Sequence, residues 1–205
     1  AGKASARMAM ALEQVLGNKL EGGIVIVPDG YGVPWHRVRI LAAAHPVPDG
    51  RGVKATKQLL SLAQSLSQRD LLIVLLSGGA SSLLCAPSKG LTLGAKRRTT
   101  QLLLRSGATI HDINIVRKHV SAIKGGQLAQ ATSATILTLI MSDVLGDDLS
   151  TIGSGPTVPD PSTFQDAIDI LQQYSIWSKV PESIQRHFQQ GLTKFNQTTI
   201  KPTRR

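Results

Sequence analysis

The stretch Ala134-Thr-Ile-Leu-Thr-Leu-Ile-Met141 runs directly into Ser142-Asp143-Val-Leu-Gly-Asp147-Asp148-Leu-Ser-Thr-Ile-Gly153-Ser-Gly155-Pro-Thr157. The first half is short, apolar and rich in β-branched residues, so it predicts a buried β-strand. The second half places three carboxylates and a Ser/Gly/Pro/Thr loop at the end of that strand. In open α/β sheets, ligands bind beyond the carboxyl ends of the strands. Carboxylates there suit a divalent cation, and backbone amides of Gly and Ser suit an anion such as phosphate. Taken alone, the loop reads equally well as a polar turn that caps a strand.

Working outward, further strands are predicted at 23–27, 38–42 and 70–76, the last fully buried. Helical periodicity covers 3–17, 52–67, 92–106, 117–131, 163–174 and 182–190. Pro46 and Pro48 keep the segment 44–50 irregular. Strands alternate with helices, and the apolar runs are continuous. That pattern predicts an α/β domain whose mostly parallel sheet is covered on both faces.

The bulk composition narrows the class. Of 205 residues, 41% are hydrophobic but only 3% aromatic, so the core must be aliphatic. No apolar run reaches the roughly 18 residues of a membrane span, and residues 1–12 lack a signal-peptide pattern. The single Cys85 excludes a disulfide framework and a cysteine metal site. A soluble cytoplasmic protein is the expectation. The formal charge of +10 is unevenly spread: net +4 over 1–85, +7 over 86–124, −6 over 125–178 and +5 over 179–205. A basic block followed by a purely acidic one suits a site for an anion plus a metal, and it also suits solvated helix faces. Basic residues are not interleaved with aromatics that could stack on bases, so nucleic acid is not the expected partner.

Several segments carry chemistry. Ser77-Gly78-Gly79-Ala80-Ser81-Ser82 follows a strand; its glycines let backbone approach a ligand and its hydroxyls can meet anionic oxygens. It is neither a Walker loop nor a Gly-x-Ser-x-Gly elbow, and a tight strand-to-helix turn would look the same. Asn114 through Gly126 concentrate positive charge, with Arg117, Ser121 and Lys124 on one helical face. Arginine grips phosphate or carboxylate with two parallel bonds, while lysine acts as a point charge. An exposed basic helix is the alternative. Lys3 enters a helix N-terminus, where amides already favour anions; a solvated lysine near a frayed end is the alternative. His45 and His119 read as structural, His45 as a turn-packing residue.

Seven segments together resemble one family: Gly2-Lys3-Ala4, 45–49 (HPVPD), 77–81 (SGGAS), 114–121 (NIVRKHVS), 123–126 (IKGG), 142–148 (SDVLGDD) and 154–157 (SGPT). In this order they are similar to the N-terminal domain of the type-2 glycerate kinases, some of which carry the label hydroxypyruvate reductase. The resemblance covers 1–192 and leaves 193–205 as a basic tail or linker. It implies a Rossmann-like three-layer α/β domain, incomplete at both ends: the strand ahead of Gly2-Lys3 and the C-terminal MOFRL domain are not among these residues. It implies ATP-dependent phosphorylation of glycerate to 2-phosphoglycerate, with Mg²⁺. By carry-over, Lys3 and Asp143 are the catalytic candidates. Ser77, Gly78, Gly79, Ala80, Ser81, Ser82, Asn114, Arg117, Lys124, Ser154, Gly155 and Thr157 are the substrate- or phosphate-binding candidates. Asp143, Asp147 and Asp148 are the metal candidates. The partners implied are glycerate and a nucleotide, without nucleic acid or membrane, and a homodimer is compatible. Two other readings stand beside this one: an NAD(P)H-dependent hydroxypyruvate reductase and a non-catalytic anion-binding remnant. The first lacks a Gly-x-Gly-x-x-Gly after a strand.

Overall fold

Four apolar runs become four strands: β1 (Gly23–Pro28), β2 (Val38–Ala43), β3 (Leu71–Ser77) and β4 (Thr135–Met141). The computed structural model describes residues 1–34 and 37–194. Both strand pairs are parallel, β1 with β2 from Gly23↔Val38 and β3 with β4 from Leu71↔Thr135. The described strands form two two-stranded sheets rather than one continuous sheet. Between the pairs, the Gly2 amide donates to Ile26 O at 3.0 Å and the Ser77 amide donates to Ala1 O at 3.1 Å. Residues 1 and 2 thus bridge β1 and β3 near their carboxyl ends. Beneath them lies an apolar groove of about 480 Å³, flanked by Ile24, Val25, Leu72 and Val74.

Among the described residues, eight α-helices surround the strands: α1 (Ser5–Leu16), α2 (Gly50–Ser65), α3 (Ala80–Leu83), α4 (Leu93–Arg105), α5 (Ile110–His119), α6 (Gln127–Gln130), α7 (Phe164–Gln173) and α8 (Glu182–Lys194). Several starts are set by side-chain caps. Asp49, Thr92 and Thr109 accept from the amides of Gly52, Ala95 and Asp112, and Thr163 and Asp166 form a reciprocal capping box at α7.

The layering follows from strand alternation, because successive side chains point to opposite faces. Ile26, Leu41, Leu72, Val74 and Leu76 pack on one face with Ala55, Leu59 and Ala63 of α2. Val25, Val27, Val38, Ile40, Ile73 and Leu75 pack on the other with Ala6, Ala9 and Leu12 of α1. A separate core joins α4, α5, α7 and α8 around Leu103, Val116, Leu171 and Phe188.

Three local expectations are corrected. The strand at 134–141 is not buried on both faces. Ile136 and Ile140 reach the α2-side core, whereas Leu137, Leu139 and Met141 are exposed. Its other face is therefore open at these positions, and among the described residues β4 pairs with β3 alone, leaving its outer edge free as well. The start of β3 is likewise not fully buried, since Leu71 is exposed. The helix expected over 117–131 is split into α5 and the single turn α6. Gly125 and Gly126 lie between them at φ of 58° and 77°, the left-handed region that ends a right-handed helix. The tail segment 195–205 lies outside the described residues. No helix among those described is long and apolar enough to cross a membrane.

Candidate active site

The loops that follow β1, β2, β3 and β4 and the entry to α1 meet along one edge. Gly2 is required at that entry: a Cβ there would lie 2.2 Å from Ser77 Oγ, and its φ is +134°. The Lys3 amide donates to Gly78 O at 2.9 Å. The Ala4 amide donates to Ser77 Oγ at 3.0 Å, and Ser5 Oγ stands 3.1 Å from the same hydroxyl. Helix α1 has no side-chain cap of its own; Ser77, from a strand more than 70 residues away, binds the Ala4 amide instead. Ser77 is therefore engaged in holding α1 against β3, while the Lys3 side chain extends into solvent.

Gly78 and Gly79 form the floor of the edge. A Cβ on Gly78 would lie 2.2 Å from Asp143 Oδ2, and one on Gly79 would lie 2.8 Å from both Cδ2 and Nε2 of His45. The two glycines are thus closely covered by side chains from the loops after β4 and β2. The segment after His45 is fixed by Asp49, which accepts from the Gly52 amide at 3.0 Å and from Arg51 Nε at 2.7 Å. Arg51 also makes a two-pronged bond to Asp29 at the end of β1. Those bonds hold the Asp29 and Asp49 carboxyls below their usual range.

Behind the glycines lies a cationic network. Ser81 Oγ receives Arg117 Nη2 at 2.7 Å and Lys124 Nζ at 3.1 Å, and lies 2.7 Å from Ser154 Oγ. Lys124 Nζ also donates to Ser81 O at 2.7 Å and Gly153 O at 3.2 Å. Ser154 Oγ donates to Asn114 Oδ1 at 3.4 Å. Gly153, Ser154 and Gly155 all have positive φ. The Gly125 and Gly126 amides donate to Ser154 O and Gly155 O. The 153–155 and 125–126 turns are therefore locked together beneath the 79–82 loop. Positive φ at the non-glycine Ser154 is strained backbone of the kind that persists where surrounding contacts over-determine it.

Burial sets the electrostatics here. Lys124 has no exposed surface, and Lys96 retains 4%. Loss of water, then repulsion by Arg117 and Lys96, drives Lys124 well below the usual lysine range. Desolvation similarly lowers Lys96 to about 8 and lowers Arg117 from its usual value. Among the described residues no carboxylate lies within ion-pair distance of Lys96, Arg117 or Lys124. Of the three, Arg117 alone is half-buried rather than buried, and without a counter-ion it favours binding of an anion. By contrast, Lys118 of the same basic segment is paired with buried Asp160 at 3.5 Å.

The structure thus brings Gly78, Gly79, Asp143 and the Lys3 backbone together, and sets Ser81, Asn114, Arg117, Lys124 and Ser154 in a network behind them. Ala80 is buried near Gly153, and Ser82 Oγ bonds back to Gly79 O. Lys124 uses all three ammonium protons on protein oxygens, so it braces two loops rather than presenting a charge. Thr157 Oγ1 pairs with Thr138 Oγ1 of β4 at 3.0 Å, and Gly155 contributes backbone to the turn lock.

The three-aspartate metal set does not assemble. Among the described residues no three His, Cys, Asp or Glu side chains gather where they could hold a metal ion. Asp148 closes its own turn, accepting from Thr151 Oγ1, Ser150 N and Ser150 Oγ, which holds its carboxyl below the usual range. Asp147 sits in the same exposed turn at φ 50°. Asp143 alone combines closeness to the loop with a carboxylate that has no protein hydrogen bond among the described residues. One such carboxylate suits Mg²⁺, which takes one or two carboxylates together with phosphate oxygens. Two neighbours escaped the sequence reading. His45 was read as turn packing, and Lys96 shares the buried stripe of α4 with Ala95, Thr99 and Leu103, a lysine on a core face being its only local signal.

Comparison with known proteins fits this edge into a family. The model of a domain of unknown function, DUF4147, matches residues 1–189. The chain belongs to the DUF4147 family. This DUF4147 chain is 45% identical over 98% of its length to a glycerate 2-kinase of Pyrococcus horikoshii, covering 45% of that protein. It is 50% identical over 93% of its length to an Agrobacterium vitis protein provisionally named a hydroxypyruvate reductase, covering 43% of it. Its fold matches the crystal structure of a glycerate kinase of Thermotoga maritima with a TM-score of 0.87 at 43% identity, over 92% of this chain and 46% of that one. The chain spans less than half the length of these relatives. The match extends the parallel α/β reading to the Rossmann-like fold expected from the sequence.

Proposed function

We propose that this chain supplies one wall of the active site of a glycerate 2-kinase, which transfers the γ-phosphoryl group of ATP to the 2-hydroxyl of glycerate. The observation that carries the reading is the Arg117 guanidinium, without a counter-ion among the described residues and held by Ser81 behind the Gly78-Gly79 floor, with Lys3 and Asp143 at the rim. Phosphoryl transfer asks a protein mainly for positioning and charge neutralisation. In this reading Arg117, held by Ser81 of the 79–82 loop, presents its remaining guanidinium donors to an anionic group of substrate or nucleotide. Lys124, Ser154 and Asn114 keep that loop in place. Lys3 neutralises charge on the transferring phosphoryl oxygens. Asp143 would hold Mg²⁺, which supplies charge neutralisation between phosphate oxygens.

The test is turnover in the full-length protein. Asp143→Asn should abolish ATP-dependent glycerate phosphorylation while leaving the circular dichroism spectrum and melting temperature unchanged. Lys3→Ala should lower kcat by orders of magnitude; a change confined to KM would reduce Lys3 to a binding role. Near-normal turnover by Asp143→Asn would remove the metal role. Oxidation of NADH with hydroxypyruvate, without phosphorylation of glycerate, would replace the kinase reading by the reductase one.

A further inference from the structure

We propose that His45 is a ligand-contacting residue of this edge, its Nε2 donating a hydrogen bond to an oxyanion bound beside the Gly79 loop. The strand β2 ends at Ala43, and the next two residues bring His45 to the carboxyl edge beside the β3 loop. Its Cδ2 and Nε2 lie so close to the Gly79 backbone that a Cβ there would approach both to 2.8 Å. On the adjoining glycine, Asp143 Oδ2 makes the matching approach. The pair of glycines is thus flanked by an imidazole and a carboxylate.

These two side chains and Lys3 differ from the polar groups around them. Asp29 and Asp49 are bound to Arg51, Asp148 to its own turn, and Ser81, Arg117, Lys124 and Ser154 to one another. Among the described residues the side chains of Lys3, His45 and Asp143 have no protein hydrogen bond. A merely structural histidine normally bonds through a ring nitrogen, as His119 Nδ1 does to Ile115 O and His187 Nε2 to His119 O. His45 instead has the segment after it clamped through Asp49 and Arg51 while its ring is half-buried and unspent. Fixed placement with an unused donor is what an oxyanion-binding group needs. Cations on two sides, Lys3 at the helix entry and Arg117 behind the loop, select for negative charge.

The ligand chemistry is an oxyanion, either phosphate or the carboxylate of a hydroxy acid. This inference rests on the kinase reading only for which of these it is. The test uses the present chain with ¹³C-labelled histidine and follows the His45 Cε1 resonance while inorganic phosphate, and separately glycerate, is added. A saturable displacement of the His45 signal is expected, and the compound that produces it at lower concentration identifies the group bound. His45→Ala should weaken that binding at least tenfold, read from the displacement of a Lys3 or Gly79 resonance. His45→Gln, whose amide nitrogen can occupy the Nε2 position, should restore most of it. Folding of each variant is checked by its unchanged amide spectrum elsewhere. A His45 resonance that does not move at saturating amounts of either compound, or His45→Ala binding as tightly as the unmodified chain, would overturn the assignment. Loss of glycerate phosphorylation from the full-length scheme with the His45 displacement intact would remove the kinase reading and leave this one standing.

Discussion

Lys96→Met should make the protein more stable at neutral pH, although it deletes a charged residue and its hydrogen bond. Lys96 is 96% removed from water on the inner face of α4. Its one hydrogen bond runs from Nζ to Val120 O at 3.3 Å. Desolvation lowers its pKa from 10.5 to about 8; the Cys85 thiol opposes that drop and Arg117 adds to it. At ~1.4 kcal/mol per pH unit, the drop corresponds to roughly 3 kcal/mol of destabilisation while both states are charged. Below pH 8 folded and unfolded chains both hold the proton, so the whole cost is present. Between 8 and 10.5 the folded chain releases the proton while the unfolded chain keeps it, so stability rises with pH. Methionine keeps most of the volume and removes the charge; Val120 O loses one of its two donors and keeps the Ser88 amide at 3.2 Å, a loss of at most about 1 kcal/mol. The net expectation is a gain of ~2 kcal/mol at pH 7 that falls to near zero by pH 9.5. Urea unfolding of both proteins at the two pH values, followed by circular dichroism, measures it. Cys85, whose thiol is pushed up by burial and pulled back by Lys96, lowers stability as pH rises past its unfolded value; without Lys96 it is pushed up further, which steepens the fall of the variant's advantage with pH. A variant less stable than the parent at pH 7, or a gap independent of pH, would refute the desolvation argument.

Two further outcomes follow from the same contacts. Gly78→Ala places a Cβ 2.2 Å from Asp143 Oδ2, and since Asp143 is exposed its side chain can swing away. Turnover in the full-length protein should fall at least tenfold while unfolding free energy changes by less than about 1 kcal/mol; a large stability loss with normal turnover would contradict this. Cys85 is buried with its thiol raised by desolvation, so a disulfide-exchange reagent should label it only on unfolding, immediately in urea and slowly in native buffer. Rapid labelling of the native chain would show that the thiol is accessible.

The elements themselves were largely legible. Strands at 23–27, 38–42 and 70–76 were located within about a residue, because continuous apolar runs between turn signals have few other uses. Capping residues such as Asp49, Thr92 and Thr163 mark helix starts locally, since a cap bonds to amides two or three residues on. The helix expected over 117–131 failed because Gly125 and Gly126 adopt left-handed backbone, which only their interlock with residues 153–155 demands. The exposed face of β4 was illegible for a related reason. Leu137, Leu139 and Met141 look like core residues, and whether a helix covers them is a property of the assembly.

The candidate site divides along the same line. By itself the sequence determined that glycine- and serine-rich loops and acidic turns would end the strands of a parallel α/β domain, because periodicity and turn chemistry act over a few residues. Which groups are spent and which are left over was decided only by tertiary structure. Lys118 and Lys124 are six residues apart in one basic segment, yet one is neutralised by Asp160 and the other is sealed among carbonyl and hydroxyl oxygens. Asp143 and Asp148 lie in one acidic loop, yet Asp148 closes its own turn while Asp143 stands against Gly78. Charge belongs to the residue, but its partner and its distance from water belong to the fold, and those two quantities set its chemistry.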